Sequence, residues 1–311
     1  MATGTRRIAA LAVFALAAAG LSRAQQLEPR AYSPAPVGTN YFGLALHNSQ
    51  GGVVTDAALP LEDVEADIYM TTPFYGRTFS LAGRSASVGI AAPYAWGTVS
   101  GDVFEEFREV RRSGFGDPQL RLAVNLIGGP AMTPQEFRTR TRRATLGFSL
   151  AATVPVGEYD STKLINLGTN RWAVKPELGL SLPAGRWDLE LYGGVWLFGD
   201  NDDFFGGQHR EQEPLPTAQA HVVYTFRPAL WLAADFTYYW GGSSTLDGVD
   251  QADRQDNTRG GLTLAIPIVG RQSLKMTWAR GVSTRVGSSF QTFGVAWQWV
   301  WFDRGPRTKP S

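Results

Sequence analysis

The sequence predicts an all-β fold: an antiparallel transmembrane β-barrel of about twelve strands behind an N-terminal signal peptide. Three observations predict it. Segments of roughly ten residues alternate apolar and polar side chains, which is the period of a strand. The connections between them alternate long and short. The apolar faces carry almost no charge, while the opposite faces carry Gly, Ala, Ser, Thr and Tyr with sparse charges.

Composition narrows the class. The chain has 311 residues, room for one large β domain or two ordinary ones. A formal net charge of +1 offers no electrostatic footprint for nucleic acid. The absence of cysteine excludes a disulfide framework and a zinc-thiolate site. The 35 glycines and 10 tryptophans suit many turns and aromatic-rich strands.

At the N-terminus, Arg6 and Arg7 precede an apolar run from Ile8 to Leu21, and Ser22–Ala24 offers small residues to a signal peptidase. Residues 1–24 therefore read as a signal peptide. The competing reading, a membrane anchor, needs a longer run and a basic stop-transfer segment. Beyond Ala24 no apolar stretch of about twenty residues occurs, so the mature chain holds no spanning helix. Residues 25–302 are assigned to the barrel and 303–311 to a tail.

The strands follow in order. "NYFGLALH" puts Phe42, Leu44 and Leu46 on one face. "VEADIYMT" sets Val64, Ala66, Ile68 and Met70 against Glu65, Asp67, Tyr69 and Thr71. A strand is expected near Ser85–Tyr94, and the next separates Leu120, Leu122, Val124 and Leu126 from Arg121 and its neighbours. Leu146, Phe148 and Leu150 alternate with Thr145, Gly147 and Ser149. Val174, Leu178 and Leu180 alternate with Lys175, Glu177 and Gly179. Leu189, Leu191 and Leu197 alternate with Asp188, Glu190, Tyr192 and Trp196. After a strand at Thr217–Phe226, Leu230, Leu232 and Phe236 alternate with Trp231, Asp235 and Tyr239. Leu262, Leu264 and Ile266 alternate with Arg259, Gly261 and Thr263, and Leu274, Met276 and Trp278 with Lys275 and Thr277. Thr292–Phe302 closes the series, with Val295, Trp297, Trp299 and Trp301 on one face.

The connections set the architecture. Long ones lie near His47–Asp63, Ala95–Phe115, Gly157–Arg171, Gly199–Pro214, Gly241–Asn257 and Arg280–Phe290. Short ones lie near Leu81–Arg84, Pro183–Arg186, Arg227–Ala229 and Val269–Gln272; Gly128–Arg142 breaks the rule by being long. Long loops at one end and tight turns at the other describe an outer-membrane barrel, with the tight turns in the periplasm. A soluble sandwich also alternates, but its polar faces would meet water and carry many Lys and Glu. The apolar faces, Trp297 and Trp299 included, are therefore expected to meet lipid. Trp96, Trp172, Trp187, Tyr224, Trp240 and Trp301 are expected to form the interfacial girdles.

Particular stretches carry a family resemblance: "GFGDPQL" (Gly114–Leu120), "WLFGDNDDFFGG" (Trp196–Gly207), "YWGGSSTLDGV" (Tyr239–Val249), "RGGLTLAIPI" (Arg259–Ile268), and Arg271–Trp299. In order and spacing they resemble the bacterial outer-membrane proteins of the MetA-pathway of phenol degradation family, often described as transporters. The resemblance implies a barrel in the outer membrane of a Gram-negative bacterium and passage of small solutes, aromatic or hydrophobic compounds among them. It brings no catalytic residues. Such barrels usually end on an aromatic that helps direct insertion by the barrel-assembly machinery. Phe302 would be that residue, yet "DRGPRTKPS" follows.

The site candidates are the inward charges. Glu65, Asp67, Arg121, Lys175, Glu177, Asp188, Glu190, Asp235, Arg259 and Lys275 are expected in the lumen, where charges pair or line a solute path. Tyr69, Tyr192, Trp196, Trp231 and Tyr239 share those faces, to stack on a solute or to fill the barrel. Asp200, Asn201, Asp202 and Asp203 supply oxygen ligands for a cation but lack EF-hand spacing, and read mainly as a solvated loop. His47, Asn48 and Ser49 are residue types of a lipid-acting barrel enzyme. Neighbours on a strand diverge, however, and a triad must converge. His221 reads as a hydrogen-bonding lumen residue. No cofactor is expected. Three functions remain: a solute channel, a closed structural or envelope-interaction barrel, and, least favoured, a lipid-acting enzyme.

Overall fold

The computed structural model describes residues 28–303 except 55–60, 104–105 and 164. The expected signal peptide and residues 304–311 of the tail lie outside the described residues.

The first strand starts at the end of the barrel that carries the tight turns. β1 (Thr39–Val54) runs out, and β2 (Leu61–Leu81) runs back against it. A two-residue turn follows, Ala82–Gly83, with φ of 50° and 75°. Positive φ at both central residues matches the right-handed twist of the flanking strands. β3 (Arg84–Ala91) pairs with the last part of β2, and β4 (Tyr94–Val103) pairs with its first part. The two are one wall strand interrupted at Ala92–Pro93, where proline has no N–H for the ladder. β5 (Glu106–Phe115) and β6 (Gln119–Ile127) are likewise one strand, interrupted before Pro118; β5 pairs with β4 and β6 with β3.

The long turn after β6 lies on the tight-turn side and carries α1 (Pro134–Thr139). Thr133 caps it, with Glu136 completing a capping box and Pro134 in the first turn. The wall continues through β7 (Thr145–Thr153), β8 (Ala173–Ala184) and β9 (Trp187–Phe198). Beyond the wall, β10 (Asn201–Phe204) and β11 (Gln208–Gln212) form a hairpin in the long loop. β12 (Leu215–Arg227) and β13 (Leu230–Gly241) return to the wall. β14 (Ser244–Leu246) and β15 (Val249–Asp250) join β10 and β11 in a second, four-stranded sheet over the long-loop end. β16 (Gln255–Pro267), β17 (Gln272–Ser283), the short β18 (Gly287–Ser288) and β19 (Gln291–Phe302) complete the wall.

β19 pairs with β1 over twelve positions, from Thr39↔Phe302 to Gln50↔Gln291. Counting β3/β4 and β5/β6 as one strand each, the wall is a closed antiparallel barrel of 12 strands. Closure joins the first and last strands of the wall and removes the open edge there; in the projecting part, β5 pairs with β4 alone among the described strands.

The outer surface is the apolar one. Leu44, Leu122, Leu178, Leu191, Val222, Leu262, Met276 and Val295 all point outward and exposed. Aromatics rim this band at both ends. Trp187 and Tyr224 (4.7 Å) and Trp299 and Trp301 (4.7 Å) lie at the tight-turn end. Tyr69 and Trp96 (5.8 Å) and Tyr238 and Trp240 (5.1 Å) lie at the other. A closed wall with an apolar band between aromatic girdles is an outer-membrane barrel surrounded by lipid.

One expected facing is corrected here. Glu65, Asp67 and Tyr69 do not face the lumen. Across the β1 ladder Tyr69 pairs with Asn48 and Asp67 with Gln50, on the outer side, while Val64, Ala66 and Ile68 are buried inside. Tyr69 belongs to the outer girdle, and Asp67 and Glu65 lie beyond it, where the wall projects past the lipid. There the outer face meets water and the inner face meets the loop cap, so the polarity of the two faces is reversed.

Candidate functional site: the barrel lumen

The remaining expected lumen residues do point inward, and they divide into two sides. On the β7–β13 side the lumen is filled, and the filler is the segment before β1. Tyr32, 2% exposed, lies in a saddle between Gly147 and Gly179, which face each other across β7 and β8. A Cβ on Gly179 would fall 2.1 Å from the Tyr32 ring, and one on Gly147 2.2 Å away. Only glycine lets the ring lie that close to the wall. The Tyr32 hydroxyl bonds Ser149 Oγ (2.8 Å) and donates to Glu177 Oε1 (2.9 Å); its ring meets Tyr192 edge-on at 4.9 Å. Arg30 donates its backbone N–H to Glu190 (2.6 Å) and its guanidinium to Asp188 (3.1 Å) and Thr225 (2.5 Å), above the Trp231 ring.

Every buried carboxylate on this side is satisfied, as burial demands. Glu190 accepts from Arg30, Ser181 and Tyr192. Glu177 pairs with Lys175 (2.5 Å) and accepts from Tyr32 and Gln219. Asp188 holds Arg30 and Arg142. Asp235 bonds His221 Nδ1 (2.7 Å) and accepts from Thr263 (2.6 Å). Trp196, Leu215 and Tyr239 pack as an apolar cluster above them. No nucleophilic hydroxyl meets His221 Nε2 among the described residues. The expected hydrogen-bonding role of His221 is what its geometry shows.

The opposite side, between β1–β3, β6, β17 and β19, is open. A cavity of about 500 Å³ is lined there by Tyr41, His47, Phe74, Arg121, Lys275 and Gln298, among others, and by Glu28 from the N-terminal segment. Arg121 donates to Ser149 (3.2 Å) and lies over the Tyr32 ring, at the boundary with the filled side.

Nearer the long loops lies a second, apolar pocket, lined by Ile68, Met70, Val99 and Val110 of the wall and by Ile165 and Leu167 of the loop between β7 and β8. The loop is tied down: Arg112 Nε donates to the Ile165 carbonyl (3.1 Å), Thr169 to Asp117 (2.7 Å), and Asn170 to Asn201 (2.8 Å). At its tip, Lys163 and Thr162 hold the Asp160 carboxyl down to a pKa of about 2. Ser49 lines the apolar pocket and Thr292 the polar cavity, and the two hydroxyls bond each other at 3.0 Å. Arg259, 5% exposed, reaches the same point, donating to Thr292 Oγ1 (3.5 Å) and the Phe290 carbonyl (3.3 Å).

His47 and Ser49 point inward, whereas Asn48 points out to Asp67 (2.8 Å), so the three neighbours diverge as strand geometry requires. In the acidic loop, Asp202 and Glu211 flank His209 at 2.8 and 3.1 Å. Glu211 and Asp202 raise the His209 pKa above its ordinary value. Asn201 is buried and holds the cap, bonding Asn170 and the Tyr159 hydroxyl. Among the described residues no three His, Asp or Glu side chains gather as a metal site.

Sequence reasoning missed Glu28, Arg30 and Tyr32. They lie in "LEPRAYSPAPVG", which has neither strand period nor an apolar run. The available signal was a polar, proline-rich stretch with a lone Arg and Tyr ahead of the first strand.

Among solved structures, the chain is similar to an outer membrane channel from Pseudomonas putida F1. The TM-score is 0.73 at 22% identity, over 89% of this chain and 100% of that one. It also resembles the β domain of the Bordetella autotransporter BrkA (TM-score 0.51, 10% identity, 85% and 100% covered). The translocator domain of the autotransporter NalP from Neisseria meningitidis is comparable (TM-score 0.51, 11% identity, 94% and 99% covered). At these identities the likeness is one of fold. No curated protein matches the chain. The family model described as "Putative MetA-pathway of phenol degradation" matches residues 46–299, nearly the whole barrel, and the chain belongs to that family.

Proposed function

We propose that the protein is an outer-membrane channel for small solutes, aromatic or hydrophobic compounds among them, and that its own N-terminal segment restricts the lumen. The observation that carries this reading is the pair of cavities on one side of the barrel. An apolar pocket under the loop cap meets a polar cavity at the Ser49–Thr292 hydrogen bond. A solute would enter the apolar pocket, pass that bond, and leave past residues 28–37. Arg121 and Lys275 then line the route, and Arg259 stands behind Thr292 at the junction. Lys175, Glu177, Asp188, Glu190, Tyr192, Trp196, Trp231, Asp235 and Tyr239 seat the segment and fill the other side. Insertion by the barrel-assembly machinery, with Phe302 as part of the signal, belongs to the same reading. A catalytic role has no support in the divergent His47–Asn48–Ser49 geometry.

The filled side favours a second reading, a closed barrel with a structural role. One experiment separates the two. Gly179→Ala places a methyl group inside the Tyr32 ring position and forces Tyr32 out of its saddle. In planar bilayers the variant should conduct more than the parent, and Tyr32→Ala should do the same. If both fold, shown by heat-modifiable gel migration, and neither changes the conductance, the closed-barrel reading holds.

A further inference from the structure

We propose that the open side of the lumen is a binding site for small organic anions, molecules with an apolar body and one carboxylate. The proposal rests on the channel reading for the direction of passage but not for the binding itself.

Charge balance distinguishes the two sides of the lumen. On the filled side each buried carboxylate has its cations and donors. On the open side the excess is cationic. Arg259 is buried, yet its Nε and Nη1 have no hydrogen-bond partner, and its Nη2 meets only a carbonyl and a hydroxyl. No carboxylate of the described residues pairs with it. Lys275 faces the cavity and makes no hydrogen bond or ion pair among the described residues. Arg121 enters the same space, donating to Ser149, with Glu28 and Glu177 as the nearby acids that share its charge. Among the described residues, the one acid lining the cavity, Glu28, comes from the N-terminal segment and not from the wall.

A guanidinium buried without an anion has lost its hydration and gained little in return. A carboxylate arriving there recovers charge-assisted hydrogen bonds. The Ser49–Thr292 pair places Arg259 at the junction of the two cavities. The apolar body of a solute can therefore lie among Ile68, Met70 and Val99 while its carboxylate meets Arg259 and then Lys275. In this arrangement Glu28 is the resident anion of the cavity, brought in by the segment that restricts it.

The test measures binding to the detergent-solubilised full-length barrel by calorimetry. The probes are benzoate, benzyl alcohol and benzylammonium, which share a ring and differ in charge. Benzoate should bind saturably, roughly tenfold more tightly than benzyl alcohol, with benzylammonium weakest. Lys275→Gln and Arg259→Gln should each weaken benzoate by about tenfold and leave benzyl alcohol unchanged. Glu28→Gln should tighten benzoate. Arg259 is buried and its variant can fail to fold. Lys275 is half-buried at the cavity wall and Glu28 lies outside the wall, so these two keep the test decisive. Equal binding of benzoate and benzyl alcohol, or unchanged benzoate binding in Lys275→Gln, would overturn the proposal. Benzoate binding with the expected charge dependence, but no benzoate uptake into proteoliposomes, would leave the anion site standing and remove the channel reading.

Discussion

Single side chains show how far alternation carries and where it stops. The period of two placed Leu264 outside and Thr263 inside, and both stand so. Alternation did not show that Thr263 is fully buried and bonded to Asp235, because the packing on the inner face depends on strands that are distant in sequence. An arginine at Thr263 would be overpacked, so the informative inner position is Thr277, which pairs with Thr263 across β16–β17 and lines the open cavity. At the lipid face, Leu264→Arg should lower unfolding stability by about 2–4 kcal/mol, the cost of a charge near the bilayer midplane. Thr277→Arg places the same charge in the cavity and should cost clearly less. Urea unfolding of both variants in lipid vesicles decides the matter. A larger loss at Thr277 would mean that the faces are assigned the wrong way round.

At the level of elements, the strands that lie wholly within the bilayer were legible and the one that outgrows it was not. β8, β9, β13, β16 and β17 present the faces that their sequences predict, with Lys175, Glu190, Asp235, Arg259 and Lys275 inside. β2 has 21 residues, and the alternating stretch Val64–Thr71 lies in its projecting part. Alternation identifies two faces but not the medium each one meets. Beyond the girdle of Tyr69 and Trp96 the outer medium is water, and the inner one is the pocket under the loop cap. Pro93 and the break before Pro118 mark the same level on the neighbouring strands, a signal visible in the sequence without its meaning. A spin label at Asp67 should therefore respond to a water-soluble relaxing agent and not to oxygen dissolved in lipid. A label at Leu264 should do the opposite. A lipid-like response at Asp67 would place the bilayer higher on the wall.

For the whole molecule, closure joins the two ends of the chain, and that juncture was hidden from any local reading. The sequence placed residue 303 in a separate tail after the last aromatic. In the fold Asp303 fastens the seam: its backbone N–H donates to the Gly38 carbonyl (2.8 Å), and its carboxylate accepts from Asn40 (2.9 Å) and Arg77 (2.7 Å). Gly38 also receives the end of the N-terminal segment, so the seam and the lumen filling share one anchor. The Arg77–Asp303 pair is about half exposed and contributes little. Asn40 is 4% exposed and keeps its bond to the Gly38 carbonyl when Asp303 is removed. Asp303→Ala should therefore cost only about 1 kcal/mol of unfolding stability. The larger effect should fall on Gly38, which loses the side chain packed against it, and through Gly38 on the seating of Tyr32. Asp303→Ala is then expected to raise channel conductance while the barrel remains heat-modifiable, and removal of residues 304–311 should change neither property. A variant that loses its fold without any rise in conductance would show that the seam serves closure alone and does not set the position of the segment in the lumen.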